Sequence, residues 1–127
     1  MAAPLARILV IEDNEDLAFG LRNNLEIEGY RVELASDGAA GLVRARESQP
    51  DLIVLDLMLP RMNGLQFRAE QRRDAELSSI PVICLSGASH AATVALELGT
   101  GDCLAKPVEF DRLLALITKL LASRGTR

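Results

Sequence analysis

Five side chains in this sequence could act together chemically, and each follows a short apolar run. Glu12 and Asp13 come directly after Ile8 to Ile11, and Asp56 comes after Leu52 to Leu55. Ser86 follows Pro81 to Leu85, and Lys106, with Pro107 behind it, follows Asp102 to Ala105. Taken singly, an acid after a strand can cap a helix, a serine can open a turn, and a lysine can be a solvated cation. Taken together, three carboxylates, a hydroxyl and an ammonium delivered to one edge point to a site. Converging carboxylates repel one another unless a hard divalent cation joins them, and Mg²⁺ suits a few carboxylates plus waters plus a phosphate oxygen, with Mn²⁺ as its substitute. A carboxylate can also attack phosphorus to give an acyl phosphate, provided nearby cations absorb the charge of the transferring group. Asp56 stands alone on its strand and is assigned as the nucleophile, with Glu12 and Asp13 as the metal-binding arm. Lys106 supplies the cation, and Ser86 a hydrogen bond to a phosphoryl oxygen.

These residues need a scaffold that brings separate strand ends together. The runs Ile8 to Ile11, Leu52 to Leu55 and Pro81 to Leu85 are almost wholly apolar, which predicts strands buried on both faces. Arg31 to Ala35 predicts a weaker edge strand, and Asp102 to Ala105 a brief fifth one. Between them lie helical patterns. Asn14 to Glu28 places Leu17, Leu21 and Leu25 four apart, with Asn14 as N-cap and Gly29 as stop. Asp37 to Glu47 carries Ala40, Leu42, Val43 and Ala45, with Pro50 closing it. Asn63 to Arg73 predicts a polar helix with Leu65 and Phe67 facing in, Ala91 to Leu98 a short helix, and Asp111 to Leu121 an amphipathic one built on Leu113, Leu114, Ile117, Leu120 and Leu121. Five strands alternating with five helices predict a doubly wound α/β domain with a parallel sheet covered on both faces. In such sheets ligands bind beyond the carboxyl ends of the strands, where the five polar residues fall.

Composition narrows the function classes. The 127 residues predict one domain, residues 1–127 with a core of about 7–122. Apolar residues make up 49% and charged residues 25%, a balance that excludes a disordered or collagen-like chain. Eighteen acids against 14 Lys and Arg give a net charge of −4, so no basic field draws nucleic acid and direct DNA binding is not expected. Cys84 and Cys103 lack the spacing of a zinc site or a disulfide framework, and Cys103 reads as a small buried hydrophobe. No run reaches the ~18 apolar residues of a membrane span, and no signal peptide is evident, so a cytoplasmic domain without membrane insertion is expected.

In order along the chain, "ILVIEDNEDL", "DLIVLDLMLPRMNG", "IPVICLSG" and "LAKPVEF" resemble the receiver domain of two-component response regulators, from Arg7 to about Ala122. The resemblance implies a flavodoxin-like strand order 2-1-3-4-5 and phosphoryl transfer from a histidine kinase or a histidine phosphotransfer protein. It implies phosphorylation of Asp56, Mg²⁺ on Glu12, Asp13, Asp56 and the Met58 carbonyl, phosphate contacts from Ser86 and Lys106, and a cis Lys106-Pro107 peptide. A downstream effector protein or a homodimer would receive the signal. The sequence departs from the family where an aromatic residue usually stands three places before the lysine, because Cys103 stands there. The stretch from Ser86 to Gly99 is about two residues shorter than usual, and His90, the single histidine, is read as a solvated loop residue. Two further readings use the same residues. A Mg²⁺-dependent phosphohydrolase with an aspartyl nucleophile would need a second acid at position 58, which is Met58, and a pseudo-receiver working without phosphate would not need five matched polar positions.

Overall fold

A computed structural model describes residues 6–59, 61–87 and 102–123. The described strands are β1 (Arg7–Ile11), β2 (Arg31–Ala35), β3 (Leu52–Asp56), β4 (Val82–Ser86) and β5 (Cys103–Ala105). The described helices are α1 (Glu15–Ile27), α2 (Gly38–Ser48), α3 (Gly64–Arg73) and α4 (Phe110–Ser123). The sheet is parallel throughout, in the order β2-β1-β3-β4-β5. The helix predicted over Ala91 to Leu98, the shortened stretch and His90 lie outside the described residues.

Burial follows the apolar runs. Every residue of β3 and β4 is buried, and β1 is buried from Ile8 onward, whereas only Ala35 of the edge strand β2 is. Alternation along the strands splits the core into two layers. Val10, Val54, Ile83 and Leu85 face Leu21 and Leu25 of α1 and Leu113, Ile117 and Leu121 of α4. Leu9, Ile11, Ile53 and Leu55 face Leu42 and Ala45 of α2 and Phe67 of α3.

Local chemistry sets the helix ends. Asn14 Oδ1 accepts from the Leu17 amide at 3.0 Å, and Asp37 Oδ1 from the Ala40 amide at 2.8 Å. Asn63 and Gln66 form a reciprocal capping box at α3. α1 ends before Gly29, whose φ of 98° suits a residue without Cβ. α2 ends on Gln49 in the left-handed region, φ 50°, one residue before Pro50.

Leu65 departs from its expected inward orientation and is 45% exposed. The buried positions of α3 are Gly64, Phe67 and Gln71, a stripe spaced by three and four. At about 100° per residue, Leu65 lies roughly 200° from Phe67, on the solvent side. Val43, 52% exposed, likewise lies off the Leu42 and Ala45 stripe of α2. Cys103 is only partly buried, in contrast to the small buried hydrophobe expected there.

Candidate functional site

Strand register brings the polar residues to one level. Ile11 of β1 pairs with Leu55 of β3, so Glu12 comes beside Asp56, the last residue of that strand. Ser86 closes β4 opposite Ala105, which sets Lys106 just past it. Backbone bonds continue the ladders there, with the Glu12 amide donating to Ala35 O at 3.0 Å, the Leu57 amide to Leu85 O at 3.1 Å and the Lys106 amide to Ser86 O at 2.8 Å. Asp56 and Ser86 are thus held at hydrogen-bonded strand ends. The Lys106-Pro107 peptide is cis, as the resemblance implied.

Glu12, Asp56 and Ser86 are buried, while Asp13 is exposed at the rim. Carboxylate oxygens of Glu12, Asp13 and Asp56 lie within 4.8 Å of one another. Lys106 Nζ reaches Glu12 Oε1 and Asp56 Oδ2, each at 3.1 Å. The contact to Asp56 has hydrogen-bond geometry, whereas Glu12 Oε1 is buried with no hydrogen-bond partner among the described residues. The other Glu12 oxygen accepts from the Asn14 amide at 3.1 Å, and Asp56 Oδ1 accepts from the Met58 amide at 3.1 Å. The Met58 side chain points out, 77% exposed.

One ammonium does not balance three acids, and the protonation states show it. Burial pushes the Glu12 carboxyl up to about 7, aided by the adjacent Asp56 carboxylate and opposed by the Asn14 amide and Lys106. Burial alone would lower the Lys106 pKa, but the carboxylates of Glu12 and Asp56 outweigh it and hold the ammonium above its ordinary value. A hard cation fits this arrangement, since a buried carboxylate oxygen faced only by the shared Lys106 ammonium among the described residues sits beside two further carboxylates, the oxygen donors that Mg²⁺ takes.

The loop after β3 forms one wall of the site. The Gly64 amide donates to Leu57 O at 3.1 Å, and a Cβ on Gly64 would come within 2.8 Å of the Leu57 Cα. Arg61, with φ 62°, pairs through its guanidinium with the buried Asp37 carboxylate. The Ala40 amide and Arg61 hold the Asp37 carboxyl below its ordinary range. Sequence reasoning missed both residues, although the N-cap position of Asp37 ahead of α2 is a signal for one of them.

A parallel sheet in this order, with three carboxylates, a serine and a lysine gathered at its carboxyl edge, defines a two-component receiver domain. The chain belongs to the response regulator receiver domain family, which matches residues 8–118. It is 38% identical over 119 residues to the DNA-binding dual master transcriptional regulator RpaA of Synechocystis, covering 92% of this chain and 49% of that protein. It is 34% identical to Protein PilH of Pseudomonas aeruginosa, covering 93% and 99% of the two chains. The receiver domain of the sensor histidine kinase PA1611 from Pseudomonas aeruginosa, solved with a magnesium ion coordinated in its active site cleft, superposes with a TM-score of 0.85 at 27% identity, covering 94% of this chain and 99% of that one. The chain therefore spans about half the length of one of these relatives and nearly all of another. No helix among the described residues is long and apolar enough to cross a membrane.

Proposed function

We propose that residues 1–127 act as one receiver domain, with a core of about 7–122, whose Asp56 accepts a phosphoryl group from a histidine kinase or a histidine phosphotransfer protein in the cytoplasm. The observation that carries this reading is Lys106 Nζ at 3.1 Å from both Glu12 and Asp56, inside a cluster of three carboxylates. An Asp56 carboxylate oxygen attacks phosphorus, the P–N bond to the donor imidazole breaks, and an acyl phosphate forms. Lys106 follows the new charge by moving its contact from carboxylate to phosphoryl oxygen, and the Ser86 hydroxyl donates to another phosphoryl oxygen. Glu12, Asp13, Asp56 and the Met58 carbonyl would hold Mg²⁺, or Mn²⁺ in its place. Bound there, the ion neutralises charge on the carboxylates and on the incoming phosphoryl group. The domain then turns over only its own phosphate and passes the signal to an effector protein or a second copy of itself. A phosphohydrolase is disfavoured because the thioether at position 58 offers no proton.

Intact-mass measurement after incubation with acetyl phosphate tests the assignment. One phosphoryl group should appear on the parent with Mg²⁺ or Mn²⁺, and none should appear with a chelator or on Asp56→Asn. Equal labelling of parent and variant would sink it.

A further inference from the structure

Cys84 and Cys103 are far apart in sequence but are direct register partners in the parallel β4–β5 pair. The Cys84 amide donates to Asp102 O at 3.0 Å, which fixes that register. Both side chains fall on the same face of the sheet, packed with Leu57. The Cys84 thiol also donates to Asp102 O at 3.5 Å, so its sulfur leans toward β5. Both residues are thiols, Cys84 buried and Cys103 partly exposed. Adjacent strands lie ~4.8 Å apart, inside the Cα separation of about 4.4–6.8 Å that disulfides span. The remaining adjustment falls on β5, a three-residue strand at the sheet edge.

From this juxtaposition we infer that Cys84 and Cys103 form an oxidisable dithiol site that closes to an intramolecular disulfide on reaction with a peroxide. The Cys103 thiolate, the accessible member, attacks one peroxide oxygen, the O–O bond breaks, and the departing hydroxide takes the thiol proton as water. That leaves a sulfenic acid on Cys103. The Cys84 sulfur then attacks the Cys103 sulfur, the S–S bond forms, and the hydroxyl leaves with the Cys84 proton as a second water. Two thiols are oxidised and one peroxide is reduced. The bond ties β4 to β5 two residues before Ser86 and three before Lys106, limiting relative movement of the strand ends that carry them.

The full chain is treated with hydrogen peroxide, unfolded, alkylated and weighed, with no phosphoryl donor present, so the outcome stands apart from the role of Asp56. The expected result is loss of two hydrogens, with no thiol left to alkylate. After digestion before aspartate, the peptide beginning at Asp102 should remain joined to the one holding Cys84 until dithiothreitol parts them. Cys84→Ser should stop at a dimedone-trapped sulfenic acid on Cys103, and Cys103→Ser should keep an unmodified Cys84. Closure in the folded chain should be about tenfold faster than in urea, because the fold holds the two sulfurs together. Two alkylatable thiols after treatment, a joined peptide pair only between separate chains, or equal rates folded and unfolded would each overturn the inference.

Discussion

Replacing Glu12 by glutamine should make the metal-free protein more stable, although it removes a residue from the site. The side chain is buried beside Asp56, with its Oε1 lacking a hydrogen bond, and its carboxyl is pushed from 4.5 to about 7. Between those values the folded chain holds a proton that the unfolded chain releases, so stability falls as pH rises across that window. At ~1.4 kcal/mol per pH unit the burden at pH 8 is at most about 3.5 kcal/mol. Asp56 shares that interaction, so about 1–2 kcal/mol belongs to Glu12 alone. Glutamine keeps an oxygen for the Asn14 amide and removes the buried charge, giving up the 3.1 Å ion pair with Lys106, which retains its contact with Asp56. In chelator at pH 8, Glu12→Gln should therefore melt roughly 5–10 °C above the parent, a gap that closes toward pH 4.5. Magnesium should raise the parent's midpoint and the variant's much less. Thermal unfolding by circular dichroism at both pH values, with and without Mg²⁺, reads all four numbers. A variant no more stable than the parent at pH 8 without metal, or a gap unchanged with pH, would show that the Glu12 carboxylate carries no such burden.

Gln71 is fully buried, and its amide donates to Leu77 O at 2.9 Å and Ile80 O at 3.0 Å, pinning the turn that leads into β4. Gln71→Ala should cost about 2 kcal/mol in urea unfolding by removing the donor to the Ile80 carbonyl, while Leu77 O keeps the Ile80 amide at 3.0 Å, and a loss under about 1 kcal/mol would show that water replaces the Gln71 amide. Gly64→Ala sets a methyl 2.8 Å from the Leu57 Cα and 3.1 Å from the Asp56 carbonyl oxygen, so it should cost about 1–3 kcal/mol and slow phosphoryl uptake, measured by urea midpoint and intact mass; an unchanged midpoint would contradict the close packing.

Much of this was legible in the sequence because it is local. Apolar β-branched runs ending in acids mark buried parallel strands, and Asn14 sits where an N-cap sits. The site was legible because a parallel sheet sends every strand's carboxyl end to the same edge, so residues 44 positions apart, such as Glu12 and Asp56, meet without any sequence contact. What was not legible depends on rotation or register. Leu65 carries an apolar side chain on a helix whose buried stripe runs through Gly64 and Gln71, and a glutamine in a polar helix gives no sign that its amide will be fully enclosed. The Cys84–Cys103 pairing depends on the β4–β5 register, which no local pattern encodes. Arg61 in a left-handed conformation, held by Asp37, is likewise decided by the partner and not by propensity.

The wall after β3 sets a mechanical asymmetry. Four ties hold it: the Met58 amide on Asp56, the Gly64 amide on Leu57, the Arg61 guanidinium on Asp37, and the reciprocal Asn63 and Gln66 cap. Opposite it stand the end of β4 and the short edge strand β5, joined at their tips by the Lys106 amide on Ser86. Among the described residues, the pocket is built like a clamp whose α3-side jaw is braced at four points. A ligand arriving at Asp56 bears on that braced wall at one side and, at the other, on a three-residue edge strand hydrogen-bonded to β4. Cutting one of the four ties, such as Arg61 on Asp37, therefore weakens the support behind Asp56 without altering a residue that would touch the ligand.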